Sequence, residues 1–212
     1  MKKIVLKLLS IILLLVLSLN IISCDKGSKK DFEKAISLGN ENNYTEIVYT
    51  SNINNGKENK TTISKYVTRD KIKVTNSSLE VYCFSYKDNY YMNNPILHTI
   101  TEEEFTKTVN NGIFDLLDYS DFKYKKGEYV FNGDSTKEKE LADYFFGSNL
   151  MNNYDSFSLK IKINNGEITK INVKSESKLT ESNTIIMEYK YEYSNYGKTV
   201  VEIPDSLLSQ ID

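Results

Sequence analysis

Side chains that could act as nucleophiles are scarce in this sequence of 212 residues, which contains two cysteines and one histidine. A cysteine-dependent enzyme would need Cys83 as its nucleophile and His98 as its base. Cys83 follows Leu79 and Val81 at every second position, as on one face of a β-strand, and a free cysteine there behaves as a small apolar side chain. The pattern therefore predicts a core position for Cys83.

A metal site near His98 is a second chemical interpretation. Glu102 and Glu103 follow His98 closely in the sequence, and histidine with carboxylates can bind a divalent metal weakly. The same acids are expected without a metal, because carboxylates in the first turn of a helix interact favourably with the helix dipole. The sequence also contains no Gly-rich phosphate loop and no Cys-x-x-Cys pair. We therefore expect a protein without enzymatic activity, metal site or cofactor.

The beginning of the chain has the order of a secretory signal. Three lysines occur within the first seven residues, residues 8–19 are apolar except for two serines, and the small residue Ser23 precedes Cys24. The alternative is a membrane-spanning helix that the mature protein retains. Because a helix needs about 20 apolar residues to cross a bilayer, this segment is too short. We expect residues 1–23 to be a cleaved signal peptide.

The end of this segment carries a resemblance. Ile21-Ile22-Ser23-Cys24 resembles the lipobox of bacterial lipoproteins, in which Leu is more familiar at the position of Ile21. The resemblance implies cleavage after Ser23, a diacylglycerol thioether carrying fatty acids such as palmitate on Cys24, and anchorage at the extracytoplasmic face of the cell membrane. Two acyl chains give stable anchoring where one does not. The alternative role for Cys24 is a disulfide with Cys83.

Residues 24–30 are predicted to be the lipidated cysteine and a flexible tether, followed by a single folded domain at residues 31–212. Lys26, Lys29 and Lys30 are either solvated or favour anionic lipid head groups. Removal of residues 1–23 takes away three lysines and no acid, so the net charge changes from −2 to −5. This balance argues against a nucleic-acid partner, because phosphate binding needs a basic face.

Hydrophobic periodicity predicts the elements of the domain. A helix is expected at residues 31–38, with its end at Gly39. Capping boxes at Thr101–Glu104 and Ser135–Glu138 predict two further helices. Strands are predicted at residues 44–53, 61–68, 71–75, 79–87, 90–92, 157–163, 167–175, 184–193 and 198–203, with a hairpin at 122–131. Asn-Gly pairs at 55–56 and 165–166 predict tight hairpin turns, which explain the similar sequences there better than a duplication does.

The strand at residues 184–193 places a row of large side chains on one face. The row contains Met187, Tyr189, Tyr191 and Tyr193. A tyrosine has an apolar ring and a polar tip, which suits contact with an amphiphile. The alternative interpretation is a core face that is rich in tyrosine.

The order of elements carries a second resemblance, which rests chiefly on residues 157–168 and 193–204. A short helix, antiparallel strands, a helical middle and long antiparallel strands resemble the half-barrel envelope proteins of the LolA and LolB type and the mycobacterial LppX and LprG lipoproteins. The resemblance implies an α+β fold, in which helices close the concave side of a curved antiparallel sheet. A cavity between the sheet and the helices would hold acyl chains. Met187, Tyr189, Tyr191 and Tyr193 are then candidate ligand-lining residues.

Two functions follow as expectations. The first is a membrane-anchored, non-enzymatic lipoprotein that binds a lipid or another apolar ligand. The second is an interaction or sensing module that contacts another protein of the cell envelope and has no small-molecule ligand.

Overall fold

A computed structural model describes residues 27–54, 56–109, 112–147, 154–180 and 183–211. The strands of these residues all belong to one antiparallel sheet of eleven strands. They are β1 (Tyr44–Asn54), β2 (Lys57–Val67), β3 (Lys71–Thr75), β4 (Glu80–Tyr86), β5 (Asn89–Asn93), β6 (Leu97–Ile100), β7 (Phe122–Lys125), β8 (Glu128–Phe131), β9 (Ser156–Asn164), β10 (Glu167–Thr180) and β11 (Asn183–Ser194).

The strand order is β6-β5-β4-β3-β2-β1-β11-β10-β9-β8-β7. The early strand β1 is central, because it pairs with its hairpin partner β2 on one side and with the last strand, β11, on the other. The sheet is open, with β6 and β7 at its two edges. This curved, open antiparallel sheet with a few helices confirms the predicted α+β half-barrel class.

Most of the helices pack on one face of the sheet, which we call the concave face; the opposite face is the convex face. The helices are α1 (Lys29–Asn40), α2 (Glu102–Val109), α3 (Ile113–Leu116), α4 (Ser135–Phe146) and α5 (Asp205–Leu208). α1 packs on β9, β10 and α3, and α2 packs on β4 and β5. α4 contacts β11 through the rings of Phe145 and Phe146.

Strands β9 and β10 bury only their concave side. Leu159, Ile161, Ile171 and Val173 have no solvent exposure and belong to the main core. The lysines that alternate with them, such as Lys160, are exposed. This is the pattern expected for a sheet with one solvated face, and burial of each of these aliphatic side chains contributes about 1.5–3 kcal/mol.

Helix α1 is longer than predicted at both ends. Its N-cap is Ser28, whose Oγ accepts a hydrogen bond from the backbone N–H of Asp31 at 3.0 Å. The predicted tether of residues 24–30 is therefore too long, because residues 28–30 belong to the capped helix. Gly39 lies inside the helix and not beyond it. A Cβ at Gly39 would approach the ring of Phe114 to 2.7 Å, so the glycine allows α1 and α3 to pack closely.

The predicted last strand at residues 198–203 is wrong. This segment has no strand partner and instead crosses the convex face, followed by α5. Val201 is buried there against Tyr82 and Phe84 of β4. Thr199 holds the segment in place, because its N–H donates to Asn43 Oδ1 at 3.0 Å and its Oγ1 lies 3.1 Å from Thr45 Oγ1. These contacts bury Thr199 without ladder hydrogen bonds.

Local signals at turns and helix ends were mostly predictive. Thr101 and Glu104 form the expected capping box, with Glu104 N donating to Thr101 Oγ1 at 3.2 Å and Thr101 N donating to Glu104 Oε2 at 2.8 Å. The second capping box is wrong by one residue, because Asp134 and not Ser135 caps α4 by accepting from two backbone N–H groups. Gly166 has a φ of 77°, as its Asn-Gly turn requires.

The middle of the chain differs most from the prediction. Strand β6 and helix α3 were not predicted, and each has only four residues. Elements of this length are too short for a hydrophobic period to be recognised. The hairpin of β7 and β8 around Gly127 was predicted and is present.

Candidate ligand-binding face

The predicted row of residues on β11 lies on the concave face. Met187 and Tyr193 are buried, and Tyr189 and Tyr191 are half-buried and pack against the main core. The prediction that the four share one face is confirmed. Their role as ligand-lining residues stays a prediction.

Aromatic contacts divide this row into two parts. The ring of Tyr193 packs between Tyr44 and Phe114, with centroid distances of 5.6 and 5.5 Å. Tyr191 lies 5.5 Å from Phe145. Tyr193 is therefore part of the core, as expected if the row is a core face rich in tyrosine. Tyr191 is only half-buried and lies closer to solvent.

A buried carboxylate lies next to the tyrosines. Glu46 is directly opposite Tyr193 in the pairing of β1 with β11, and only 4 % of its surface is exposed. It follows the buried Tyr44 by two positions, so it points to the same concave face. Glu46 was not identified from the sequence. The available signal was its position, because an acid two residues after Tyr44 on a strand lies on the same face as that tyrosine.

The charge of Glu46 acts on the surrounding phenols. Burial, and then Glu46, raise the pKa of Tyr193 well above its ordinary value, and the pKa of Tyr191 is raised for the same two reasons in the same order. Burial and then Glu46 also raise the pKa of Tyr144, on α4, to about 12, against the opposite effect of a hydrogen bond with the backbone of Ile113. These hydroxyls therefore stay protonated at neutral pH and can donate hydrogen bonds.

Strand β2 adds a cation to the same surface. Lys65 is opposite Glu46 in the pairing of β1 with β2, and its other cross-strand neighbour is Val74. Val48 and Ile63 form the next pair along these strands. Lys65, Val74, Val48 and Ile63 are all half-buried. We call the group formed by Glu46, Val48, Ile63, Lys65, Val74 and Tyr191 the central concave strip.

The helices flank this strip. Within the described residues, α1 packs mainly on β9 and β10 and α2 on β4 and β5. Helix α4 covers Tyr191 through the ring of Phe145, and the rest of the strip belongs to β1–β3. The arrangement places apolar side chains beside a carboxylate and an ammonium group. Such a surface can accept an apolar chain and hold a polar group at one end.

Four cavities lie away from the strip. One of about 250 Å³ lies where the described chain begins, between Gly27 and Tyr124. Two, of about 510 and 310 Å³, lie beside the C-terminal segment at Val200 and Val201. The fourth, of about 430 Å³, is lined by convex-face residues of β1, β2 and β11. None of the four includes Met187, Tyr189, Tyr191 or Tyr193.

Cys83 and His98 do not form a nucleophile and base pair. In the sheet, Cys83 is opposite Met92, and Met92 is opposite His98. Two strand spacings of about 4.8 Å therefore separate their positions, which exceeds hydrogen-bond reach. Burial raises the pKa of the Cys83 thiol to about 11. Cys83 is a free, buried cysteine of the core, as predicted.

The acids near His98 have structural partners. Glu104 belongs to the capping box of α2, and Glu103 forms an ion pair with Lys107 at 2.6 Å. His98 Nδ1 lies 2.8 Å from the carbonyl oxygen of Ile96. In the part of the chain that the structure describes, no three histidine, cysteine or acidic side chains are grouped closely enough to hold a metal.

Ser23 and Cys24 lie outside the described residues, as does the predicted signal peptide. Among the described helices, none has both the length and the apolar character needed to span a bilayer.

Comparisons with known proteins find matches only among solved structures. No protein-family model matches the chain, and no curated protein matches it. Among solved structures, the chain is similar to a DUF1329 family protein from Desulfovibrio piger, with 10% sequence identity and a TM-score of 0.31. That match covers 84% of this chain and 95% of the other. A similarity of this size carries no argument about ligand or activity.

Proposed function

We propose that this protein is an exported lipoprotein, anchored through Cys24 at the extracytoplasmic face of the cell membrane, which binds a lipid or another amphiphile without catalysing a reaction. The ligand would lie on the central concave strip. The candidate lining residues are Tyr189 and Tyr191, with Met187 and Tyr193 forming the supporting wall.

The observation that carries the ligand proposal is the composition of the strip. Val48, Ile63 and Tyr191 provide adjacent, half-buried apolar surface. Glu46 and Lys65 place opposite charges at one end of that surface. Ligand sites are commonly apolar with a few polar groups that fix the orientation, and an amphiphile has the same division.

The anchor proposal is supported by the position of Cys24. The described domain begins at Gly27, three residues after Cys24, and α1 starts almost at once. A chain of three residues extends at most about 10 Å. A lipid on Cys24 would therefore hold the half-barrel close to the bilayer.

Native mass spectrometry with lipid extraction tests the ligand. Protein purified from the envelope is expected to carry a lipid-sized mass, and Ile63→Glu should abolish it, because a carboxylate would then lie in the apolar part of the strip. Thr62→Glu is the matched control, since Thr62 is the adjacent, exposed residue on the other face of the same strand. A folded wild-type protein without bound lipid, or equal loss in both variants, would contradict the proposal.

Replacement of Cys24 tests the anchor separately. The wild-type protein should remain with membranes after a high-salt wash and should carry a diacylglycerol mass on the peptide that begins at Cys24. Cys24→Ser should lose this mass, because serine has no thiol to form the thioether. An unmodified Cys24 in the exported wild-type protein would overturn the anchor and leave the ligand proposal standing.

An interaction module is the second candidate, and one observation favours it. The cavity of about 510 Å³ beside the C-terminal segment has Val200 at its rim, and 75 % of the surface of Val200 is exposed. An exposed apolar side chain beside a cavity suits contact with another envelope protein. Site-specific crosslinking from position 200 in intact cells should then capture one defined partner, whereas the ligand proposal requires none.

A further inference from the structure

The convex face of the sheet carries six lysines on β7, β9 and β10, with β8 between β7 and β9. Their concave-side neighbours along the strands are buried core residues, so the lysines point outward. The set, which we call the lysine face, is Lys123, Lys125, Lys160, Lys162, Lys170 and Lys174. Lys160 is opposite Val130, which is itself opposite Lys123, and Lys162 is opposite Lys170. The pairing therefore brings together residues from three strands on one continuous surface.

Three of the six lysines lie opposite an acid. Lys125 is opposite Glu128 in the β7–β8 hairpin, and Lys170 and Lys174 are opposite Glu192 and Glu188 in the pairing of β10 with β11. The other three have no acid opposite them in these pairings, because Lys123 is opposite Val130, Lys160 is opposite Val130 and Asn172, and Lys162 is opposite Lys170. None of the six lysines forms an ion pair with another described residue, whereas Lys190 on the neighbouring strand β11 pairs with Glu192. The whole sequence has a formal net charge of −2, so this local excess of positive charge is contrary to the average of the chain.

The first described residues lie on the same hairpin. Gly27 lies against the ring of Tyr124, where a Cβ would come within 2.1 Å of a ring carbon. The hydroxyl of Tyr129 donates to the carbonyl oxygen of Ser28 at 3.2 Å. Tyr124 lies between Lys123 and Lys125 on β7, which is an edge strand. Because Tyr124 alternates with these two lysines and packs on the main core, its ring lies on the concave side of β7. The chain therefore enters the domain at the edge strand that carries Lys123 and Lys125, from the opposite side of that strand.

We propose that the lysine face is the surface by which the domain lies on an anionic membrane, with the lipid head-group phosphates as its partners. The inference rests on the proposed anchor at Cys24, which is at most about 10 Å of chain from Gly27. That distance is similar to the screening length of about 8 Å at physiological salt, so the lysines of β7, the edge strand at which the chain enters, are within electrostatic reach of the bilayer. The lysine face then fixes which side of the tethered domain meets the membrane.

Chemical coupling of a lipid to Cys24 allows the lysine face to be tested without lipidation in cells. Residues 24–212 contain every described helix and strand of the fold. The thiol of Cys24 can be coupled to a maleimide lipid in vesicles, while Cys83 is only 2 % exposed and so is protected from coupling. Because coupling replaces the cellular modification, the result does not depend on whether cells lipidate Cys24.

Lysine acylation followed by mass spectrometry reports the orientation. Vesicles of phosphatidylcholine alone are compared with vesicles in which one third of the lipid is phosphatidylglycerol. Labelling of Lys123, Lys160 and Lys162 should fall about fivefold on the anionic vesicles at low salt, and should recover at about 1 M salt, where the screening length is about 3 Å. Lys60 and Lys107, whose side chains are 70% and 74% exposed, should label equally on both.

Charge variants complete the test. Without coupling, Cys24→Ser protein should bind the anionic vesicles. Lys160→Gln with Lys162→Gln should weaken this binding about 25-fold, which is about fivefold for each lysine. Lys60→Gln with Lys107→Gln is the control and should bind like the parent. Equal labelling on both vesicle types, stronger protection of Lys60 or Lys107, or protection by a soluble acidic polymer but not by vesicles would overturn the proposal.

Discussion

Strands β9 and β10 differ from strand β4 in how many of their faces are buried. β9 and β10 bury one face, so that Leu159 is fully buried and its neighbour Lys160 is exposed. β4 buries both faces, and Tyr82, Cys83 and Phe84 are consecutive buried residues. The C-terminal segment is the reason, because it places Val201 on the convex face of β4.

The apolar pattern of each strand therefore indicates whether one or both of its faces are buried. Strict alternation indicates that one side of a sheet is solvated, and here that solvated side is the lysine face. A continuous apolar run indicates that a second layer exists. It does not indicate which part of the chain forms that layer, and the C-terminal segment was predicted to be a strand instead.

The largest expected effect tests the one-sided burial of β9. Leu159→Ala should lower the free energy of unfolding by about 3–4 kcal/mol, because it leaves a cavity under the helices. Lys160→Ala, one residue away on the solvated face, should change it by less than about 0.5 kcal/mol. Chemical denaturation followed by circular dichroism measures both. Similar losses in the two variants would show that the convex side of β9 is also packed.

The second prediction tests whether the C-terminal segment packs on the convex face of β4. Val201→Asp should cost about 2–3 kcal/mol of unfolding free energy, because the carboxylate would be buried against Tyr82 and Phe84. Val200→Asp is the matched control, since Val200 is largely exposed, and it should be nearly neutral. A neutral Val201→Asp would mean that the C-terminal segment does not stay on the sheet in solution.

The third prediction concerns the tyrosines of the concave face at high pH. Burial keeps the pKa of Tyr193 far above its ordinary value of 10 in the folded state. The stabilisation from the neutral phenol is complete below pH 10 and is lost as the pH rises above that value. At pH 11 this amounts to about 1.4 kcal/mol. Tyr193→Phe should therefore lose less stability than the wild type between pH 8 and pH 11, and parallel pH profiles would mean that water reaches the Tyr193 hydroxyl.

The smallest expected effects are losses of stability when the helix caps of α2 and α4 are removed. Thr101→Ala at α2 and Asp134→Ala at α4 should each cost about 1 kcal/mol, because each removes the side chain that caps its helix. Ser135→Ala should cost much less, because Ser135 is the first residue of α4 and not its cap. Thermal unfolding of the three variants resolves the difference. A loss at Ser135 as large as that at Asp134 would support the capping box first predicted there.

The sequence by itself determined the features that depend on near neighbours along the chain. The alternation in residues 157–163, the Asn-Gly turn at Gly166 and the capping box at Thr101 each predicted the local structure. The half-barrel class was implied by the family resemblance that the order of these elements carries. Such signals are readable because strand pleating, turn geometry and helix capping all act within a few residues. The four-residue elements β6 and α3 are below the length at which this works.

Only the tertiary structure decided which residues meet. It placed Glu46 opposite Tyr193 and Lys65, and it brought Lys123, Lys160 and Lys170 together from three strands. It also joined Thr45 to Thr199, which are 154 positions apart in the chain. These contacts arise from strand order and from the closing of layers around a common core. A contact between such distant residues has no local pattern in the sequence, so the concave strip, the cover on β4 and the lysine face became visible only in the fold.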